Sequence, residues 1–281
     1  MPEPKVLLDG LGIPESPRWH DGRLWFANWI DQQIVSVGAD GDVEVVPSPS
    51  AHPMGWSIDW LPDGSLLTTG DKLRRRGPDG SFTEYSGQGG NEIVADGHGN
   101  VYLNGADFDF AGGEAPRPGY IRLVTPDGTV REVADDIQFP NGMVISPDDR
   151  TLVVSESFAG RLTAFDIAAD GGLSNRRTFA DGLGPDGICV DADGAIWVSA
   201  ADSSIVRVTE GGEILQRIDL SEHGACFALA LGGPDRRTLY ILTAEWRSAD
   251  SITDNLDRLV NGPRTGEVLS LEVAVPGAGR P

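Results

Sequence analysis

"FPNGMVISPDDRTLVVSES" (residues 139–157) and "GPDGICVDADGAIWVSAAD" (residues 184–202) align almost residue for residue, with Asn141 in the first where Asp186 stands in the second. Each sets a Pro and an oxygen-bearing residue before a short apolar run, a Gly/Asp turn cluster and a returning strand of alternating apolar residues. Self-similarity of this kind marks a repeat architecture. Four further copies follow the same plan: "ESPRWHDGRLWFAN" from Glu15, "WSIDWLPDGSLLTTGD" from Trp56, "NEIVADGHGNVYLNGAD" from Asn91 and "CFALALGGPDRRTLYILTA" starting near Cys226. The first residues of the six copies are about 41, 35, 50, 45 and 40 positions apart, the spacing of four-stranded propeller blades.

Between the copies lie further strand-like runs around Gly- or Asp-rich turns, among them "QIVSVGADGDVEVVP", "YIRLVTPDGTVREVA" and "SIVRVTEGGEILQRIDL". β-branched residues alternating about such turns are the signature of hairpins. Two hairpins per repeat make four strands, long helical periodicity is absent, and no linker divides the chain. The expected fold is therefore all-β, a six-bladed β-propeller in one domain over residues 1–281. The early run "KVLL" (Lys5–Leu8) is expected to complete the outer edge of the last blade and close the ring.

Composition narrows the function classes. The 281 residues are 40% hydrophobic and carry a net charge of −21, from 43 acidic against 22 basic residues, which argues against a partner held through phosphates. The one basic run, "KLRRRG" (Lys72–Gly77), ends in a turn and reads as a solvated loop. No stretch has the roughly 18 to 20 apolar residues of a membrane span, and "MPEPKVLLDG" lacks the charged and apolar regions of a signal peptide, so a cytoplasmic protein is expected. Cys189 and Cys226 sit in apolar runs outside any CxxC cluster and read as reduced thiols.

In a propeller, the residue that starts each innermost strand faces the same end of the central channel. Glu15, Trp56, Asn91, Asn141 and Asp186 are therefore expected to converge. Four of these five carry side-chain oxygen and none carries sulfur or imidazole. Crowded carboxylates and amides need a cation, water or ligand to satisfy them, and an all-oxygen set favours a hard divalent ion such as calcium, magnesium or manganese, with zinc as a further candidate. Singly, Asn141-Gly142 and Asp186-Gly187 also read as turn signals; the shared repeat position is what points to a site. Around it, Trp56 reads first as packing and second as an apolar wall of the pocket, and His52 and His223 are candidate rim residues. The insertion from Gly105 to Gly119, with Phe108 and Phe110, reads equally as a lid or as a disordered surface loop. Asp63-Gly64, Asp127-Gly128 and Asp193-Gly194 fall between strands and read as structural turns, and His20 and His98 share that turn region. "GLGPDG" (Gly182–Gly187) fits GxGxxG but runs into a strand, not a helix, and GxSxG, HExxH and Walker sequences are absent.

The segments "GIPESPRWHDGRLWFANW", "FPNGMVISPDDRTLVVSES", "GPDGICVDADGAIWVSA" and "LGGPDRRTLYILTA" together resemble the SMP-30/gluconolactonase/luciferin-regenerating-enzyme-like family over nearly the whole chain. That resemblance implies a six-bladed propeller with one divalent cation in the channel, calcium first among candidates. It implies Glu15, Asn141 and Asp186 as metal ligands, Asp186 as the catalytic group, and Asn91 as a contact to substrate or to a water on the ion. The implied reaction is metal-dependent hydrolysis of a small-molecule lactone or related ester, with Asp186 either deprotonating the attacking water or orienting it. Trp56, Phe108 and His223 complete the expected substrate-binding set; no nucleic-acid or membrane partner is expected. One departure stands out: the family's sugar lactonases that are similar to the animal proteins carry an Arg two positions before the third-blade Asn, where this chain has Gly89. Without that guanidinium, a less polar lactone or ester becomes as plausible as a sugar lactone. A phosphotriesterase-like hydrolase and a non-catalytic, metal-containing binding propeller are the alternatives.

Overall fold

A computed structural model of the protein describes residues 3–108, 114–247 and 249–279. Its strands form six four-stranded antiparallel sheets, the blades of a six-bladed β-propeller. The innermost strands are Pro14–His20, Ile58–Trp60, Ile93–Ala95, Pro140–Ile145, Cys189–Val190 and Ala225–Gly232, for blades 1 to 6 in chain order. Blade 6 is closed as the sequence suggests: the strand Lys5–Leu11 pairs antiparallel with Gly266–Glu272, Lys5 opposite Ser270 and Leu11 opposite Gly266. Pairing the two ends of the chain in one sheet ties the ring shut, with Lys5–Leu11 as the outer edge of blade 6.

The two ends of the propeller are built differently. At the far end, where inner strands finish, the chain reverses in tight turns whose glycines take positive φ, such as Gly64 at 81°, Gly128 at 83° and Gly194 at 81°. Aspartates cap them, as when Asp63 Oδ1 accepts the Ser65 amide at 2.9 Å. The near end, where the inner strands begin, carries the longer segments. One of these, between the second and third strands of blade 6, contains a helix, Ile252–Asn261, that the strand pattern does not foreshadow. Its signals are local: Ser251 Oγ accepts the Asp254 amide at 3.1 Å as an N-cap, and Gly262-Pro263 stops it.

Core packing lies between blades. Val144, Val153 and Leu162 of blade 4 meet Ile188, Ile196 and Val206 of blade 5, and equivalent clusters fill the other seams. Toward the channel the inner strands approach so closely that side chains vanish. A Cβ on Gly142 would lie 2.7 Å from Gly187 Cα and 2.8 Å from Asp186 O, while one on Gly187 would lie 2.6 Å from Ala228 Cβ. The Gly187 amide donates to Phe227 O at 2.7 Å. The Asn-Gly and Asp-Gly pairs of blades 4 and 5 are thus contact points between inner strands and not hairpin turns. Gly142→Ala, which must push backbone aside, is expected to cost about 1–3 kcal/mol of stability, read as a lower urea midpoint at unchanged slope.

Candidate active site

This ladder of contacts defines the repeat positions. Gly142 meets Gly187 and Gly187 meets Ala228, so the residues just before them, Asn141, Asp186 and Phe227, are equivalent. The sixth anchor is therefore Phe227, one residue beyond the Cys226 start read from the sequence. The ring at the near end is Glu15, Trp56, Asn91, Asn141, Asp186 and Phe227. In blades 1, 4 and 6 the inner strand carries one extra residue here, with register shifts between Glu15 and Arg18, Pro140 and Met143, and Cys226 and Ala228. Such bulges re-aim side chains beside functional sites. In blade 1 the bend is held by Ser16 at φ 51°, whose amide donates to Glu15 Oε2 at 3.1 Å and whose hydroxyl bonds Ile58 of blade 2.

The carboxylates of the ring are under electrostatic pressure. Glu15 is 2% exposed, and burial first, then the charges of Asp186 and Glu92, hold its pKa well above the usual carboxylate range. Burial and the nearby Glu92 push Asp186 up to about 8, and its Oδ1 is buried without a hydrogen-bond partner. An unpaired buried carboxylate oxygen costs several kcal/mol unless something satisfies it.

Three further charged residues surround this pair, and none was expected from the sequence. Glu92, 3% exposed, follows Asn91, and burial raises its pKa to about 7 against the opposing pull of Arg18. Arg18 and Asp59, also buried, occupy matching places on the inner strands of blades 1 and 2. Arg18 Nε lies 3.5 Å from Asp59 Oδ1 and Nη2 lies 3.7 Å from Glu92 Oε2, while Nη2 donates to Ile93 O at 2.9 Å. Asp59 in turn accepts the Ala95 and Trp60 amides at 2.7 and 2.8 Å. One guanidinium thus ties together the inner strands of three blades. Below it the channel narrows to a cavity of about 30 Å³, lined by Arg18, Val94, Val144, Cys189 and Ala230 among others. That volume holds water but no lactone ring.

Asn91 and Asn141 are oriented through a buried amide, Asn104. Its Nδ2 donates to Asn141 O at 2.6 Å, its Oδ1 accepts the Glu92 amide at 3.3 Å, and its carbonyl accepts the Asn91 amide at 2.8 Å. Among the described residues no three His, Cys, Asp or Glu side chains gather closely enough to hold an ion, so these residue types alone do not make a ligand set at the ring.

The outer candidates divide. Trp56 is wholly buried, packed with Ala27, Ile34 and Ile58 between blades 1 and 2, and so forms core and not a pocket wall. His223 Nδ1 lies 3.3 Å from Glu267 Oε2 on the third strand of blade 6, and its partner is that carboxylate and none of the ring. His52 sits in an exposed loop. Phe108 is half-buried, its ring 5.9 Å from Phe139, which stacks on Phe158 at 4.3 Å; Phe110 lies outside the described residues. At Gly89 a Cβ would lie 2.4 Å from Gly70 O and 2.6 Å from Asp71 O, so the backbone of blade 2 occupies the space where any side chain would start.

The family model for the SMP-30/gluconolactonase/LRE-like region matches residues 13–245. The chain belongs to that family. Among relatives, it is 30% identical to the pentonolactonase XacC of Haloferax volcanii over 290 residues, spanning 97% of this chain and 95% of the relative. It is 35% identical to the regucalcin of Danio rerio over 130 residues, 42% of each chain. Among solved structures, the calcium-binding regucalcin of Agrobacterium tumefaciens superposes with a TM-score of 0.79 at 23% identity, over 100% of this chain and 97% of that one. In this family member, the charged layer of Arg18, Asp59 and Glu92 was legible only by aligning the repeats. The residue after the anchor is Ser16, Ser57, Glu92, Gly142, Gly187 and Ala228, a column of small residues broken once by a glutamate.

Proposed function

We propose that the protein is a divalent-metal-dependent hydrolase of lactones or related cyclic esters. The observation that carries the reading is the unpartnered, buried Asp186 Oδ1 beside Glu15, at the end of the channel where the inner strands begin. Lactonase relatives support it.

The donor set fits a hard cation. Glu15, Asn141 and Asp186 offer oxygen only, and the two carboxylates destabilise each other until a positive charge lies between them. Calcium is the first candidate, given the A. tumefaciens regucalcin described as calcium-binding. A bound divalent ion supplies Lewis-acid polarisation of the ester carbonyl and lowers the pKa of water. The chain's own residues do the rest. Asp186, with one carboxylate oxygen unpartnered by the protein, takes a proton from the attacking water or holds that water in line with the carbonyl. Asn104 fixes the backbone of Asn91 and Asn141, and the Arg18 guanidinium anchors Glu92 beneath them. Hydrolysis turns a neutral lactone into a hydroxy acid anion, which a chain of net charge −21 releases readily.

The test is turnover of a lactone panel, followed with a pH indicator, on chelator-treated protein before and after return of calcium, magnesium, manganese or zinc. Metal-restored turnover is expected. Tight metal binding with no turnover of any lactone or ester would leave a binding propeller instead.

A further inference from the structure

The ring is flanked by a tier of chain with almost no polar side chains. Two residues upstream of the anchors stand Ile13, Met54, Gly89, Phe139, Gly184 and Ala225, and the position between is Pro, Gly or Cys in every blade. No charged, amide or hydroxyl side chain occurs in either column. The side chains of these two columns thus offer a ligand's hydroxyl groups no oxygen or nitrogen partner, although Ser157 and Thr69 reach the tier from outside to bond the Pro185 and Gly90 carbonyls.

On one side this tier widens into an apolar shelf. Phe227, whose carbonyl accepts the amide next to Asp186, packs edge-on against Trp246 with ring centroids 6.1 Å apart. Both join Met54 and Trp29 in a cluster seated on the buried side chains of Ile13, Ala244 and Leu259. The shelf spans blades 6, 1 and 2 at the near end, and Phe227, Trp246 and Met54 each remain partly exposed. Met54 adjoins Gly55, where a Cβ would lie 3.6 Å from Asn91 Oδ1, so the shelf reaches both the Asp186 and the Asn91 sides of the ring. Partly exposed aromatic surface continuous with a polar reaction centre is the composition of a pocket that orients a ligand by its apolar portion.

Building on the lactone-hydrolase reading above, we propose that the substrate is a lactone bearing an alkyl or aryl substituent, which lies on the shelf of Met54, Phe227 and Trp246 while the ring ester meets Asp186. Transfer of each methylene from water onto such a surface is worth a factor of about three to four in binding. That gain enters kcat/KM as long as the shelf holds the chain in the transition state.

The experiment compares kcat/KM over γ-lactones from unsubstituted γ-butyrolactone to the hexyl-substituted ring, with a pentono-1,4-lactone as the polar counterpart of equal ring size. Each is assayed with the divalent ion that supports turnover. The expected result is a rise of about threefold per methylene over the first few carbons, with the alkyl lactones preferred to the pentonolactone, and a flatter rise in Phe227→Ala and Trp246→Ala. Values independent of chain length, or a preference for the pentonolactone, would overturn the inference and leave the hydrolase reading standing. Absence of turnover for every lactone with every ion would remove both. The chain-length dependence of the unsubstituted protein alone decides the matter if either variant fails to fold.

Discussion

Asp186→Asn is expected to lower kcat for lactone hydrolysis by about a thousandfold, the loss typical of removing a positioned general base, while leaving the fold intact. The amide has the shape of the carboxylate but cannot take up a proton, and it is a weaker ligand for a cation. Stability should move the opposite way, and that is the more discriminating half of the prediction. In the metal-free protein Asp186 is pushed up to about 8 by burial and by Glu92. At pH 5 it keeps its proton in the folded chain, but the unfolded chain, with the ordinary value of 3.8, has already lost it, so Asp and Asn differ little only near pH 4 and below. At pH 9 it must ionise inside the ring, at about 1.4 kcal/mol for each unit by which folding raises its pKa. Without metal, Asp186→Asn should therefore unfold at higher urea than the parent at pH 9, by a margin that narrows as pH falls and closes near pH 4. Equal stability at pH 9 would mean that Asp186 is not held against its neighbours' charge; retained turnover would remove it from the reaction.

The same opposition of stability and chemistry explains what could be read from the sequence. The propeller was legible because its far-end turns are local devices: Asp63-Gly64 or Asp193-Gly194 work through capping bonds and positive φ within a few residues. Lys5–Leu11 was legible for a related reason, since a closing strand needs only an apolar run at the right end of the chain. The site was harder because its residues act between blades. Gly142 and Gly187 looked like turn formers, yet they are small because the next inner strand occupies the place of a side chain. Trp56 shares the anchor position with Glu15 but turns into the seam between blades, where its ring is worth more as core than as a channel wall. Arg18 and Asp59 carry no local signal at all. Their partnership appears only when blades 1, 2 and 3 are side by side, although repeat alignment already placed them in one column.

The metal-free protein is also expected to lose stability as pH rises from about 5 to 8, against the usual trend of acidic proteins. Surface carboxylates such as Asp63, Asp127 and Asp148, whose pKa values are lowered chiefly by side-chain hydrogen bonds, contribute stability that is lost only as pH falls toward and below their ordinary range near 4. Above pH 5 that contribution is constant. Glu15, Glu92 and Asp186 have the opposite sign: their folded pKa values are raised, so they cost nothing while both states are protonated and cost progressively more once the unfolded chain has ionised. Glu92 alone, raised from 4.5 to about 7, contributes a penalty of about 3 kcal/mol by pH 8. The nearby Arg18 guanidinium offsets only part of it. A divalent ion at the ring displaces these protons, so its affinity must increase with pH over the same interval. The rise in thermal midpoint on adding calcium to chelator-treated protein should therefore be several degrees larger at pH 8 than at pH 5. Flat stability between those values, with equal shifts on adding metal, would show that the ring does not hold its carboxylates under charge. In that case no electrostatic demand for a cation would remain at the mouth of the channel.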